Sequence, residues 1–311
     1  MSAFSSMAPS QVSETVQPPN ADHAKEIARG ERFAFGENWR RFLEVLDEDR
    51  IAQAQRSLTE LLGVTDLQGR TFLDVGCGSG LFSLAARRLG ARVRSFDFDP
   101  ASVACASELR RRYFTSDAEW TVEEGSVLDA EFVASLGEYD VVYSWGVLHH
   151  TGEMWTAIDR VTRLVAPSGL LAIAIYNDQG NWSKRWRFIK RTYCSGPLGR
   201  TVVCATCIPT FVLRALLADL VWARNPARRY REYRRNRGMS VLHDYIDWLG
   251  GYPFEVAKPE AVFHYLTDRG LQLVQLKTAG GSVGCNEFVF RRRDDPAAGL
   301  GNAGAVRTLS S

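Results

Sequence analysis

The chain has 311 residues, 45% of them apolar and 24% charged, enough to bury one α/β core and still carry an embellishment. Its six cysteines are scattered through a chain too long to need disulfide stapling, and its N-terminus lacks a basic-then-apolar signal pattern, so a reducing cytosol is the expected compartment. The net charge of +2 hides a split: residues 181–240 hold fourteen Lys and Arg against two acids, Asp219 and Glu232, a local +12 that leaves about −10 elsewhere. Such asymmetry suggests contact with something anionic, unless the run is a solvated helical face.

In chain order, residues 1–20 are rich in Ser, Pro, Gln and Ala without periodicity and read as a disordered tail. Over 21–62 the pattern turns helical, with Phe33, Phe35, Trp39, Phe42, Leu43, Val45 and Leu46 at mixed helical spacings, which predicts cap helices ahead of a core. Over 63–177 strands and helices alternate: strand 70–75, helix 80–89, strand 92–98, helix 100–113 opened by Pro100, strands near 119–123 and 140–144, helix 153–165 and strand 169–176. Residues 178–257 interrupt the rhythm as a basic and apolar helical insertion. The core resumes over 258–293 with helix 259–269, strand 271–277, a turn at Gly280 and Gly281, and strand 285–291; residues 294–311 read as a loose tail. The alternation demands parallel strands joined by right-handed crossovers, hence an α/β doubly wound three-layer sandwich, and the tight turn before the last strand makes that strand antiparallel.

Gly76, Gly78 and Gly80, placed after the first strand, let the backbone pass close to a ligand and open a helix whose N-terminal amides face the site. That much suits any nucleotide. Here the spacing is Gly-x-Gly-x-Gly, not the Gly-x-Gly-x-x-Gly of NAD sites, and Asp74 stands just ahead. Methionine's ammonium and carboxylate need mixed polarity, so the two features together favour S-adenosylmethionine. Asp97 falls at the end of the second strand, 17 residues after Gly80, where a carboxylate can accept both ribose hydroxyls. Asp99 is the weaker candidate because Pro100 starts a turn there.

Over about residues 69–177 the chain resembles the class I S-adenosylmethionine-dependent methyltransferase family, through Phe72-Leu73-Asp74-Val75-Gly76-Cys77-Gly78-Ser79-Gly80, Phe96-Asp97-Phe98-Asp99-Pro100, Gly125-Ser126-Val127-Leu128-Asp129 and Tyr139 to His150. It is most similar to the small-molecule branch that includes ubiquinone-biosynthesis O-methyltransferases. The resemblance implies a Rossmann-like methyltransferase fold and a cofactor held by Asp74, Gly76, Cys77, Gly78, Gly80, Asp97, Phe98, Ser126, Val127 and Trp145. Family members often carry, after the glycine at Gly125, an Asp that holds the adenine amino group. Ser126 stands there instead, so adenine recognition is expected to rest on a hydroxyl, the backbone or Val127.

Trp145 to His150 follow the fourth strand and so project from its carboxyl end, where open α/β sheets place their chemistry. Methyl transfer is an in-line displacement that needs a nucleophile held close and often a base to take its proton. His150 is the candidate base, since family members frequently carry His there, and His149 is second; positioning or loop packing is the alternative for the pair. Glu153 could join them on a metal, but no metal is expected. Asn177, Asp178, Asp244, Asp247 and Trp248 are candidates to line an acceptor pocket or to anchor a loop, and Asn286 and Glu287 share that ambiguity with structure favoured. Cys204 and Cys207 have redox or zinc half-site spacing in an apolar segment, and buried structural thiols are the expectation.

In the insertion, Trp182 to Arg191 interleaves aromatics with bases, residues 201–223 are strongly apolar, and 224–237 are basic. Pro209, Arg214 and Asp219 argue against a membrane span, leaving a helical lid or an interfacial helical pair whose bases, over 182–237, meet an anionic membrane surface. Nucleic acid is the less favoured partner. The expected activity is O-methylation of a small-molecule or lipid-linked acceptor, cytoplasmic or peripheral at the inner face of the membrane. RNA or protein methylation and a non-catalytic cofactor-binding scaffold are the alternatives; acceptor identity and oligomeric state are not readable.

Overall fold

The structure, a computed structural model, describes residues 20–115, 118–221, 241–281 and 284–293. The terminal segments expected to be loose, apart from Asn20, and the basic run 224–237 lie outside the described residues.

Seven strands form one sheet in the order β3-β2-β1-β4-β5-β7-β6. They are β1 (Thr71–Val75), β2 (Arg92–Asp97), β3 (Trp120–Glu124), β4 (Tyr139–Trp145), β5 (Val165–Tyr176), β6 (Leu271–Lys277) and β7 (Cys285–Arg292). The first five run parallel, and β7 pairs antiparallel with β5 and with β6. The physical cause is visible in β1 and β5. Phe72, Leu73 and Val75, and then Leu170 to Ile175 without a break, are buried, as befits strands covered by helices on both faces.

The covering helices are α4 (Leu81–Arg88), α5 (Pro100–Tyr113), α6 (Ala130–Leu136), α7 (Met154–Arg163) and α11 (Pro259–Thr267), and they make two separate apolar clusters, one on each side of the sheet. Helix α6 has no counterpart among the expected elements. It is seven residues long, too short for apolar periodicity, but it is capped by Asp129, whose carboxylate accepts from the amides of Glu131 and Phe132.

Ahead of the core stand α1 (Asn20–Ala28), α2 (Gly36–Glu44) and α3 (Glu48–Leu62). Helix α3 buries Ile51, Ala54, Leu58 and Leu62, a stripe at helical spacing, in the same cluster as Leu84 and Ala85 of α4.

Three described helices interrupt the core between β5 and α11: α8 (Asn181–Cys194), α9 (Pro197–Val221) and α10 (Val241–Gly250). A third apolar cluster joins them to the cap through Phe33, Tyr193, Val203 and Leu249. Their two ends meet where Asn177 bridges Ala257 beside β5, with Ala257 donating to the Tyr176 carbonyl at 3.0 Å.

Strand order reverses between β1 and β4: β1 leads outward to β2 and β3, while β4 leads to β5 on the other side. A crevice must open above the carboxyl ends of these neighbours, because their connections leave in opposite directions. The glycine loop leaves β1 and the Trp145 to His150 segment leaves β4. Both therefore deliver their residues to one place.

Candidate active site

One cavity of about 1280 Å³ occupies that crevice. Asp74, Gly76, Cys77, Gly78, Asp97, Phe98, Ser126, Val127, Trp145 and His150 all line it. Gly80 does not; it caps α4 with a φ of +79°, and a Cβ there would come 2.8 Å from Ala106, so its task is the turn and not the wall.

The loop's geometry explains its glycines. Gly76 has φ +73°, and a Cβ on it would lie 2.3 Å from a Val147 methyl; Gly78 has φ +52° and lies under the Trp39 ring of α2. The amides of Gly76 and Cys77 donate to the Phe96 carbonyl, at 2.9 and 3.0 Å, which ties the loop to β2. Gly78 donates to Asp97 Oδ2 at 2.9 Å and Asp99 to Asp97 Oδ1 at 2.9 Å, so each carboxylate oxygen is fixed by one backbone donor and retains a lone pair for the cavity. Burial raises the Asp97 carboxyl to about 6 against those two hydrogen bonds.

Asp74 is held from behind. Trp120 Nε1 donates to Ser95 Oγ (3.0 Å), Ser95 to Ser83 Oγ (2.8 Å) and Ser83 to Asp74 Oδ2 (2.5 Å), a buried relay running from β3 to β1. Burial nonetheless raises Asp74 to about 7, the Ser83 bond opposing and the Asp97 charge adding. A buried and a half-buried carboxyl side by side, both raised, describe a pocket in want of positive charge and hydroxyl donors. Asp99 is spent elsewhere: it caps α5 through the Ala101 amide at 2.9 Å and accepts from the Gly36 amide of α2 at 2.7 Å. Burial pushes the Cys77 thiol well up, leaving it a neutral wall. Ser126 Oγ accepts from the Leu128 amide at 3.1 Å, which leaves its proton to donate.

The histidine expectations need correction. His149 is fully buried, does not line the cavity and packs on Tyr176 with ring centroids 4.0 Å apart and planes inclined by 46°. Its ring nitrogens make no well-formed hydrogen bond, only the Ala174 carbonyl being near, and burial drives its pKa well down. It packs behind the cavity wall, away from the space an acceptor would fill. His150 does line the cavity, 9% exposed, with Nδ1 2.6 Å from the Pro253 carbonyl. A carbonyl cannot donate, so Nδ1 carries the proton and Nε2 the lone pair. Burial lowers this ring to about 3, opposed by the Pro253 bond and reinforced by Lys190 and Arg32, so it stays neutral at physiological pH and is a weak base. Its fixed Nε2 remains a hydrogen-bond acceptor.

Among the other expected residues, Trp248 and Glu287 line the cavity, whereas Asn177 accepts from Asn286 at 3.2 Å and Asp178 accepts from the Gly180 amide at 2.8 Å, as loop anchors. The side chains of Asp244 and Asp247 lie outside the described residues. Cys204 and Cys207 are free and pack in the third apolar cluster. Among the described residues no group of three or more His, Cys, Asp or Glu comes together as a metal site.

Several wall residues were not anticipated. Arg32 donates to the His150 carbonyl at 3.1 Å and lies 4.9 Å from the Phe98 ring centroid, joining cap to core. Phe35, Tyr176, Trp186, Phe211, Arg214 and Tyr245 form much of the far wall. The signal for α9 was present: Phe211, Arg214, Ala215 and Ala218 fall at helical spacing on one face. For Pro253, placed against His150 across more than a hundred residues, there was none.

The comparisons with known proteins agree with this architecture. A methyltransferase-domain family profile matches residues 46–224. A ubiquinone biosynthesis O-methyltransferase of Xanthomonas oryzae pv. oryzae is 34% identical over 112 residues, covering 36% of this chain and 45% of that protein. The homonymous protein of Escherichia fergusonii is 32% identical over 171 residues, covering 54% of this chain and 66% of that one. The chain thus spans about half to two thirds of the length of these relatives. In fold it is similar to magnesium protoporphyrin IX methyltransferase from Synechocystis PCC 6803 with bound SAH, at a TM-score of 0.50 and 16% identity, over 86% of this chain and 99% of that one. The chain belongs to the methyltransferase-domain family, a class that takes its methyl group from S-adenosylmethionine.

Proposed function

We propose that the protein transfers a methyl group from S-adenosylmethionine to a hydroxyl of a small-molecule or lipid-linked acceptor. The observation that carries this reading is that one cavity holds two raised carboxyls and a glycine loop at one end and a fixed histidine among aromatic rings at the other. S-adenosylmethionine, when bound, supplies an electrophilic methyl carbon on a sulfonium centre.

The donor's chemistry fits the residues present. Asp97 has free lone pairs for two hydroxyls, Asp74 offers the negative end that an ammonium requires, Val127 and Phe98 offer apolar faces, and the Gly76 to Gly78 backbone allows close approach. At the other end His150 Nε2 is oriented to accept a hydroxyl proton in a hydrogen bond. Because the ring is so weakly basic, its work is to hold and aim the oxygen, with proton uptake favourable only as the hydroxyl oxygen, bonding to carbon, becomes positive and its proton acidic. The cap and insertion wall this compartment with the rings of Phe35, Trp39, Trp186 and Trp248.

A lipid-linked acceptor gains support from the outer face of the insertion. Helix α9 is long and apolar enough to cross a membrane, with a mean hydropathy of 1.9. Leu198, Val202, Leu213, Leu217 and Leu220 are exposed along it, and Trp182 and Phe188 are exposed on α8 near Lys184, Arg185 and Arg191. This composition suits an interfacial seat on an anionic bilayer better than a solvated lid.

Tritiated-methyl transfer into fractionated extract tests the function. Label is expected in the lipid or polar-metabolite pool, and label confined to macromolecules contradicts the reading. Flotation with phosphatidylglycerol vesicles tests the membrane seat, which predicts salt-sensitive association; no association rejects it.

A further inference from the structure

The cations of the insertion are not equivalent. Arg185 lies 4.8 Å from the Trp182 ring centroid, Arg187 donates to the Phe254 carbonyl at 3.0 Å, buried Lys190 donates to the Trp248 carbonyl, and Arg200 lies 5.2 Å from the Tyr193 ring centroid. Lys184 and Arg191 are exposed and do not line the cavity. Arg214 differs from all of them: it lines the cavity and, among the described residues, has no hydrogen bond or ion pair.

Its helix is also turned the opposite way from a solvated one. The inward face of α9 carries Phe211, Arg214, Ala215 and Ala218, while the outward face carries Leu213, Leu216, Leu217 and Leu220. A helix whose inward face served only packing would place leucines there; here Arg214, itself exposed, borders the cavity from its open side. Two alanines leave room, and the arginine supplies charge. Phe211, one turn before it, meets Trp186 and Tyr245, and Trp186 leads on through Trp248 to Tyr176, a run of flat apolar surfaces along the same cavity that suits a planar ring. Glu287 on the facing wall is already met by Lys277 at 3.3 Å.

We infer that Arg214 binds an anionic group, a carboxylate or a phosphate, carried by a ring-bearing methyl acceptor. A guanidinium presents paired planar donors that match either anion, and the aromatic walls receive the ring while His150 receives its hydroxyl. The inference rests on the proposed acceptor site and deepens it: the preferred acceptor is anionic, not neutral.

The test is equilibrium binding to the full chain saturated with S-adenosylhomocysteine, read by fluorescence of Trp186 and Trp248. The probes are 3-(4-hydroxyphenyl)propionate, its neutral methyl ester, and 2-(4-hydroxyphenyl)ethyl phosphate. The wild type is expected to bind one or both anions about tenfold more tightly than the ester, the scale of one partly screened charge-assisted hydrogen bond, with the carboxylate and phosphate arms deciding which is preferred. Arg214→Gln should erase that preference without changing the ester or S-adenosylhomocysteine affinity, and Arg214→Lys should restore part of it. Equal binding of acid and ester by the wild type, or a preference that survives in Arg214→Gln, overturns the inference. Failure of the methyltransferase reading would show separately, as no S-adenosylhomocysteine binding in the wild type.

Discussion

The two ends of the cavity are built by different means. At the glycine loop, two short segments at the ends of β1 and β2 are fixed to each other by backbone hydrogen bonds, and each side chain there has one task dictated by strand geometry. At the far end, residues from α2, β4, β5, α8, α9 and α10 share the wall, held by aromatic packing, and Pro253 fixes His150. On the proposed reading, the difference teaches that donor recognition is a property of local chain direction. Acceptor recognition is a property of tertiary assembly, so substitutions at the two ends should fail in different ways.

The largest expected effect is Gly76→Ala. Its left-handed φ and the 2.3 Å approach to Val147 should together cost about 2–4 kcal/mol and lower the melting temperature of the ligand-free protein. Gly146→Ala shares a φ of +78° but meets nothing within 4 Å, and should cost only about 1–2 kcal/mol. Equal losses in thermal melts would remove the claim that the loop is sterically locked.

Next is His150→Ala, expected to lower kcat about 10- to 100-fold on a true acceptor while leaving S-adenosylhomocysteine affinity unchanged. Near-normal turnover would rule out its role, and lost cofactor affinity would blur the division between the two ends. His149→Phe, by contrast, should act on stability alone.

A smaller effect separates the ends by pH. Because the Asp97 carboxyl sits at about 6, it carries a proton below that pH and loses its capacity to accept two hydroxyls. Cofactor affinity should therefore weaken by calorimetry as pH falls through the range of about 7 to 6, as Asp74 and then Asp97 take up protons, and Asp97→Asn should remove the lower part of that fall. The smallest effect is Ser126→Ala. Its hydroxyl mainly serves the turn at Leu128, so affinity should fall by no more than about threefold, well under the worth of a buried charged contact.

Legibility in the sequence followed the same line. The alternation of elements, the antiparallel β7 and the convergence of Asp74, Gly76, Gly78 and Asp97 could be read because each depends on residues near one another in the chain and on strand direction. Helix α6 escaped because one capped turn pair leaves no periodicity. His149 and His150 could not be told apart by type, since only the 3-10 turn at Leu148–His150 decides which ring faces the cavity. The raised or lowered proton affinities of Asp74, Asp97 and His150 come from burial in the assembled fold, which no local pattern encodes. Arg214 looked like one base among fourteen until the orientation of α9 singled it out.

The central claim is that the glycine loop and Asp97 form the cofactor site. Isothermal calorimetry with S-adenosylhomocysteine on wild type and Asp97→Ala tests it most directly. The account predicts saturable one-to-one binding by the wild type and at least a ~10-fold weakening in the variant, for the lost pair of hydroxyl contacts. An affinity unchanged by Asp97→Ala would contradict it.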